Sequence, residues 1–287
     1  MASFVIHNIA GERFLSILEE EYGIKLSEEE KNTFLMANLI PDSSKLTPPA
    51  KDADPSVIKA HRANVQNEKV STHFRSTEDR NLCIQAPQLE KFTEKYGDSI
   101  PSNIAYLGYL FHLYTDKTFF EDLFTKTFAT LDENMQPTIY SDKTKYMRVN
   151  KNGQLYTIAE FWDSKSPKSI YNDYTVMNRL LLEHYGCTFD VEGLTAAAEN
   201  FENPGIDEVD FSNITKVINK TSSFIRESYE APNTTLNIFD DQQVIDFIDE
   251  TAQGFISRYQ SLLPQAEDSK TYQKCMVTTA NKKEGEN

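Results

Sequence analysis

Apolar residues recur at three- and four-residue steps through most of the chain, a period that predicts helices. Over residues 3–22, His7, Gly11, Phe14, Leu15, Leu18 and Tyr22 share one face, and Gly23 closes the segment. Ser27-Glu28-Glu29-Glu30 has the spacing of a capping box and opens a second helix through Phe34, Leu35 and Leu39. Pro41 stops that helix and leaves Asp42 in the turn beyond its end. Residues 43–72 are polar and include Pro48-Pro49 and Pro55, so they read as a long surface connection leading into Thr72-His73-Phe74-Arg75. A helix over 87–96 carries Leu89 and Phe92. The next, over 102–128, is apolar on nearly every side, the mark of a central, buried helix. Residues 144–162 break the period: Tyr146-Met147-Arg148-Val149, Asn152-Gly153 and Leu155-Tyr156-Thr157-Ile158 predict a small hairpin around a glycine turn. Helical spacing resumes near 170–185, 193–201, 211–229 and 241–262, and the chain is polar from Pro264 onward. The pattern predicts an all-α, multi-helix bundle with a minor β-hairpin insertion, one domain over 1–263 and a polar tail over 264–287.

Composition supports a packed core and narrows the partners. Of 287 residues, 39% are hydrophobic and 11% aromatic, with only 10 Gly and 11 Pro. The net charge is −15, from 29 Lys+Arg against 44 Asp+Glu. A field of that sign disfavours long nucleic acid and anionic membrane surfaces, but bound cations would reverse it locally and admit a small phosphate. Cys83, Cys187 and Cys275 are far apart and lack metal-ligand spacing, which suits reduced thiols in a cytoplasmic protein. The start, MASFVIHNIAGERF, makes a poor signal peptide, and no stretch approaches the ~18 uncharged apolar residues of a membrane span.

The chemistry lies in a few residues that do not fit a plain core. His112 and Asp116 are one turn apart on the central helix, with Gly108 a turn earlier leaving space beside them. A carboxylate inside an apolar helix is costly unless paired or bound to a metal, and imidazole and carboxylate are both zinc ligands. For this spacing taken alone, a hydrogen-bonded His–Asp pair in a core is the better account. Taken singly, His7 is a satisfied core histidine, Asp42 a turn residue and His73 a loop residue. Together they are what a multi-metal site requires, and they use three of the five histidines. His184, near a helix end before Gly186, is accounted for by the helix dipole.

The order His7, Pro41-Asp42, Thr72-His73-Phe74-Arg75, Gly108-Tyr109-Leu110-Phe111-His112-Leu113-Tyr114-Thr115-Asp116 and Tyr171-Asn172-Asp173-Tyr174 resembles bacterial proteins of the zinc-dependent phospholipase C family. That superfamily also holds the single-strand-specific fungal nucleases. The resemblance covers roughly residues 1–185. It implies that Asp42, His73, His112 and Asp116 hold one zinc, that His7 helps hold a second, and that Asp116 bridges them. Asp42 is then a candidate general base, and Asp173 either supplies a carboxylate or caps a helix. The family's mature N-terminal tryptophan ligand has no counterpart, since the chain begins Met-Ala-Ser and its one tryptophan is Trp162. The third-metal cluster of two histidines and a glutamate has none either. These departures favour one or two ions, with other divalent metals as alternatives to zinc. The implied activity is hydrolysis of a phosphoric ester, a phosphodiester before a monoester, on a small phosphate ester or a phospholipid headgroup. The rival readings are a histidine–aspartate nucleotide phosphohydrolase and a non-catalytic protein with a structural metal site.

Overall fold

The structure is a computed structural model and describes residues 2–45, 54–163, 166–232 and 234–264. It is an all-α bundle with one small antiparallel sheet. The tail predicted from 264 falls almost wholly outside the described residues.

Helix α1 (Phe4–Tyr22) starts where the Ser3 hydroxyl accepts the Ile6 N–H at 3.1 Å and ends on Gly23 at φ 67°, a left-handed cap that favours glycine. Its first half, Phe4 to Gly11, is buried on every side, so it runs through the bundle rather than along it. Helix α2 (Glu28–Leu39) opens on the predicted capping box, with Ser27 and Glu30 bonding each other's backbone. It lies along α5 (Ile104–Thr118), which is capped by Asn103 and buried nearly throughout. Gly108 makes this approach possible: a Cβ there would stand 2.4 Å from the Phe34 carbonyl oxygen. The glycine therefore admits α2, not open space beside His112 as its position in the sequence suggested. Phe14, Phe34, Phe111 and Phe255 interlock with ring centroids 5.0–5.7 Å apart. They tie α1, α2 and α5 to α11 (Asp241–Arg258), each fully buried ring contributing about 1.5–3 kcal/mol.

The polar stretch read as a surface connection contains helix α3 (Pro55–Thr72), with Asp54 as N-cap and Pro55 in the first turn. Its apolar period is faint because a lysine, Lys69, occupies its buried face at 1% exposure. Short α4 (Leu89–Tyr96) packs Phe92 against Tyr109 of α5, with rings stacked at 5.2 Å. The helix expected over 102–128 stops at Thr118, passes through a wide π-helical turn at Phe119–Phe124 and the single turn α6 (Thr125–Thr127), and becomes a strand. That strand, β1 (Phe128–Leu131), pairs with β2 (Tyr146–Val149), which pairs with β3 (Leu155–Thr157), so the hairpin is part of a three-stranded sheet. Gly153, at φ 69°, makes the β2–β3 turn. After the short α7 (Ile158–Phe161), helices α8 (Ile170–Tyr185), α9 (Val191–Ala198) and α10 (Ile214–Glu230) precede α11. Among the described residues, no helix is long and apolar enough to cross a membrane.

Replacing Gly108 by alanine should push α2 off α5, lowering stability by about 1–3 kcal/mol as overpacking does. Urea denaturation monitored by circular dichroism measures the loss; an unchanged midpoint would mean that α2 and α5 do not meet at this glycine.

Candidate metal centre

The five residues expected to form the site converge, and each is 0% exposed: His7 from α1, Asp42 from the 3-10 turn Ile40–Lys45, His73 from the end of α3, and His112 and Asp116 from α5. Two groups of donor atoms stand within 4.8 Å of one another, His7 with His112 and Asp116, and Asp42 with His73 and His112.

The separations are informative. His73 Nε2 lies 3.4 Å from Asp42 Oδ1, 3.5 Å from Asp116 Oδ2 and 3.2 Å from His112 Nε2. His7 Nε2 lies 3.5 Å from Asp116 Oδ1 and 3.9 Å from Asp42 Oδ2. Most of these gaps exceed an ordinary hydrogen bond. They match the edge of a tetrahedron: ligand atoms about 2.1 Å from a zinc ion stand roughly 3.4 Å from one another. Neither ring nitrogen of His7 has a hydrogen-bond partner among the described residues, and Asp116 Oδ2 accepts none. A buried polar atom left this way costs about 1–3 kcal/mol. A cation between the donors would satisfy His7 Nε2 and Oδ2 of the Asp116 carboxylate that it faces, so the residues present fit a metal.

Surrounding groups aim the ligands. His112 Nδ1 is 2.7 Å from the Asn38 carbonyl oxygen. A carbonyl only accepts, so Nδ1 carries the proton and Nε2 turns its lone pair to the cluster. Asn38 also donates from Nδ2 to the His7 carbonyl at 2.6 Å, so one α2 residue braces both α1 and α5. The His7 and His112 rings stack with centroids 3.8 Å apart. Thr72 Oγ1 is 2.8 Å from His73 Nδ1, and the Thr72 carbonyl accepts the Tyr109 hydroxyl at 2.6 Å. Phe74 has φ 51°, a left-handed conformation that costs a bulky residue about 1–2 kcal/mol. The turn it makes brings His73 and Arg75 to the same cluster, and its ring packs edge-on against Phe92 at 5.3 Å.

Two buried cations complete the site. Lys69 Nζ is 3.6 Å from Asp42 Oδ1, and Arg75 Nη2 is 3.9 Å from Asp116 Oδ2. The Ala2 N–H donates to Asp116 Oδ1 at 3.0 Å. Burial alone would raise the Asp116 carboxyl, but His7 and His73 hold it well below the usual carboxylate range. Burial pushes His73 down to about 4, with Arg75 and Lys69 acting in the same direction and Asp42 opposing them. Burial also drives His112 well below its ordinary value. Both imidazoles are therefore unprotonated at neutral pH, the form that ligates metal.

Asp173 is engaged elsewhere. It accepts the N–H groups of Asn237, Ile238 and Phe239 at 3.0, 2.6 and 3.0 Å, while Ser169 caps its helix. His184 stands at the end of α8 with its ring on Tyr185. Neither belongs to the two donor groups among the described residues. Asn38, Lys69 and Arg75 are the residues that the sequence reading left without a role. A polar residue inside the apolar run Phe34–Leu39 was the available signal for Asn38, and Arg75 stands two residues after His73. Comparison with protein-family profiles, with curated proteins and with solved structures gives no match to the chain.

The metal-free protein should lose stability as pH falls from about 6.5 to about 4, the interval between the ordinary histidine value and that of His73 in the fold. In that interval the unfolded chain binds a proton that the folded His73 refuses, so acid favours unfolding. Asp116, held low in the fold, gives stability that is complete above about 4 and disappears below it. Thermal melts at a series of pH values measure both, and a melting temperature that stays flat from pH 7 to 4 contradicts the assigned histidine state.

Proposed function

We propose that the protein is a metal-dependent hydrolase of phosphoric esters, with zinc at the cluster of His7, Asp42, His73, His112 and Asp116 and a phosphodiester as its preferred substrate. The observation that carries the reading is the set of imidazole and carboxylate donors spaced as the edges of a tetrahedral metal shell. The order of the same residues along the chain, similar to the zinc-dependent phospholipase C family, supports the ester chemistry.

Charge favours an anionic substrate. Asp42 and Asp116 are balanced by Lys69 and Arg75, and His73 and His112, held low by burial, add no charge. Any divalent ion therefore leaves the buried site positive, which a phosphate ester compensates. When bound, the metal would supply a water acidified for attack and a Lewis-acid hold on phosphoryl oxygen. Asp42, which faces both histidine edges of the cluster, is placed to take a proton from that water. Lys69 and Arg75 orient the oxygens that do not react. The same reading puts the protein in the cytoplasm, where Cys83 and Cys187 stay free thiols. The full burial of all five donors favours a structural, non-catalytic metal site as the second reading.

Paired measurements of metal content and of bis(p-nitrophenyl) phosphate turnover separate the two. Zinc should raise the melting temperature of chelator-treated protein and start turnover. Asp116→Asn should empty the site and reduce turnover by more than the roughly 10–100-fold typical of residues that only orient a ligand. Full occupancy with no turnover of any phosphate ester would leave the structural reading. Asp173→Asn should keep the metal and lower stability by roughly 1–3 kcal/mol, because the 237–239 backbone loses a charged acceptor. Metal loss in that variant would put Asp173 in the site after all.

A further inference from the structure

A cavity of about 730 Å³ lies beside the cluster, and its chemistry is divided between two kinds of wall. Lys69 and Arg75 line one part of it. Both are nearly buried, and their charged ends reach the carboxylates of Asp42 and Asp116, so the cavity and the metal cluster share them. Ala2, whose N–H donates to Asp116, lines it as well. Another part is aromatic: Phe120, Trp162, Tyr171, Tyr174 and Phe224. Trp162 and Tyr171 are 40% and 43% exposed, with their rings 5.9 Å apart and steeply inclined, which puts them at the mouth. The Arg75 guanidinium lies 5.6 Å from the centre of the Phe120 ring, joining the cationic part to the aromatic part.

We propose that this cavity selects the substrate: a phosphate ester of a flat aromatic alcohol, its phosphate held by Lys69 and Arg75 and its ring held by Trp162, Tyr171 and their aromatic neighbours. The proposal rests on the phosphoric-ester reading of the adjacent cluster. The volume is that of a small-molecule site, too small for a macromolecule to be its occupant. Lys69 and Arg75 balance Asp42 and Asp116, so a divalent ion at the cluster would leave this wall positive in a chain of net charge −15, and an anion would compensate it. Aromatic walls bind a flat ring by offset and edge contacts that a flexible alkyl chain of equal carbon number does not make. Ordering an alkyl chain also costs more rotamer freedom than ordering a ring. The cations fix the phosphate end beside the cluster, and the rings take whatever the phosphate is bonded to.

Trp162 is the single tryptophan, so its fluorescence reports on the cavity directly. Phenyl phosphate, n-hexyl phosphate and inorganic phosphate would be titrated into the full chain, zinc-loaded and metal-free, by fluorescence and by calorimetry. Phenyl phosphate should bind about tenfold or more tightly than inorganic phosphate, in line with burial of one ring, and more tightly than hexyl phosphate, with a change in Trp162 emission. Arg75→Met should weaken all three anions. Because Arg75 is buried and its loss could unfold the chain, the exposed Trp162→Ala and Tyr171→Ala carry the decision. Each should erase the phenyl preference in calorimetry and leave inorganic phosphate unchanged. Equal affinities, a hexyl preference, or a phenyl preference that survives both variants would overturn the proposal. Phenyl phosphate bound in the cavity, with neither it nor bis(p-nitrophenyl) phosphate hydrolysed when zinc is present, would sustain the cavity assignment and sink the hydrolase reading. Esters hydrolysed without regard to the ring would do the reverse.

Discussion

Asp42 and Asp116 are carboxylates with no exposure to water, and much of the bundle is arranged around the compensation of their charge. An isolated ionised carboxylate in a protein interior is untenable without partners. Here they come from two separate segments of the chain, residues 2–7 and 69–75. The Ala2 N–H at the start of α1, Lys69 near the end of α3, Arg75 beyond the left-handed Phe74, and the imidazoles of His7 and His73 all approach the two groups. The polar burial of α3 and the turn at Phe74, which reads as strained, both follow from this requirement. So does the exact placing of α2, since Asn38 must reach the His7 carbonyl and receive His112 at once.

The compensation is balanced in charge but incomplete in hydrogen bonding, and the difference separates this cluster from an ordinary buried network. Asp173 is also buried, and its oxygens collect three backbone N–H groups within hydrogen-bond distance. It is a finished structural carboxylate that fastens the 237–239 segment to α8. At the cluster, the donors face one another across gaps of 3.2–3.9 Å, and both nitrogens of His7 lack a hydrogen bond among the described residues. Groups that exist only to hold helices together settle closer than this. The separation is what a ligand sphere requires, and it is maintained by helices too tightly packed to collapse into it.

Legibility in the sequence followed the kind of burial involved. Where a helix buries apolar side chains, as in α1, α2, α4 and α8 to α11, the period and the caps marked it within a few residues, and for α5 they marked the start but not the end. Where a helix buries polar ones, the signal vanished: α3 turns Lys69 and Thr72 inward and read as a loop. Strand β1 was hidden because Phe119–Phe124 continues the apolar run of α5 into a π-helical turn, and four residues carry too little alternation to break it. The five donors could be chosen because histidine and aspartate are conspicuous on apolar faces and at helix ends. Asn38, Lys69 and Arg75 could not, since their roles depend on contacts between elements that no spacing within one element encodes. Asp173 drew attention through its neighbours Tyr171 and Tyr174, and its three backbone partners lie more than sixty residues away in the chain.

With a divalent ion bound, the site would carry charge opposite to that of the whole chain, and this would affect selectivity more than affinity. A chain of net charge −15 repels a polyanion over a distance of about a Debye length, roughly 8–10 Å at ordinary salt. The cluster behind Lys69 and Arg75 attracts an anion only at contact, because its own charges cancel at longer range until a cation is added. A small phosphate ester with one or two charges meets little repulsion at the surface and gains the full contact attraction inside. A nucleic acid strand would meet the repulsion at every phosphate and could place only one of them in the site. On the proposed function, the acidic surface would act as a filter for size and charge, while Trp162 and Tyr171 would discriminate among the small anions that pass it.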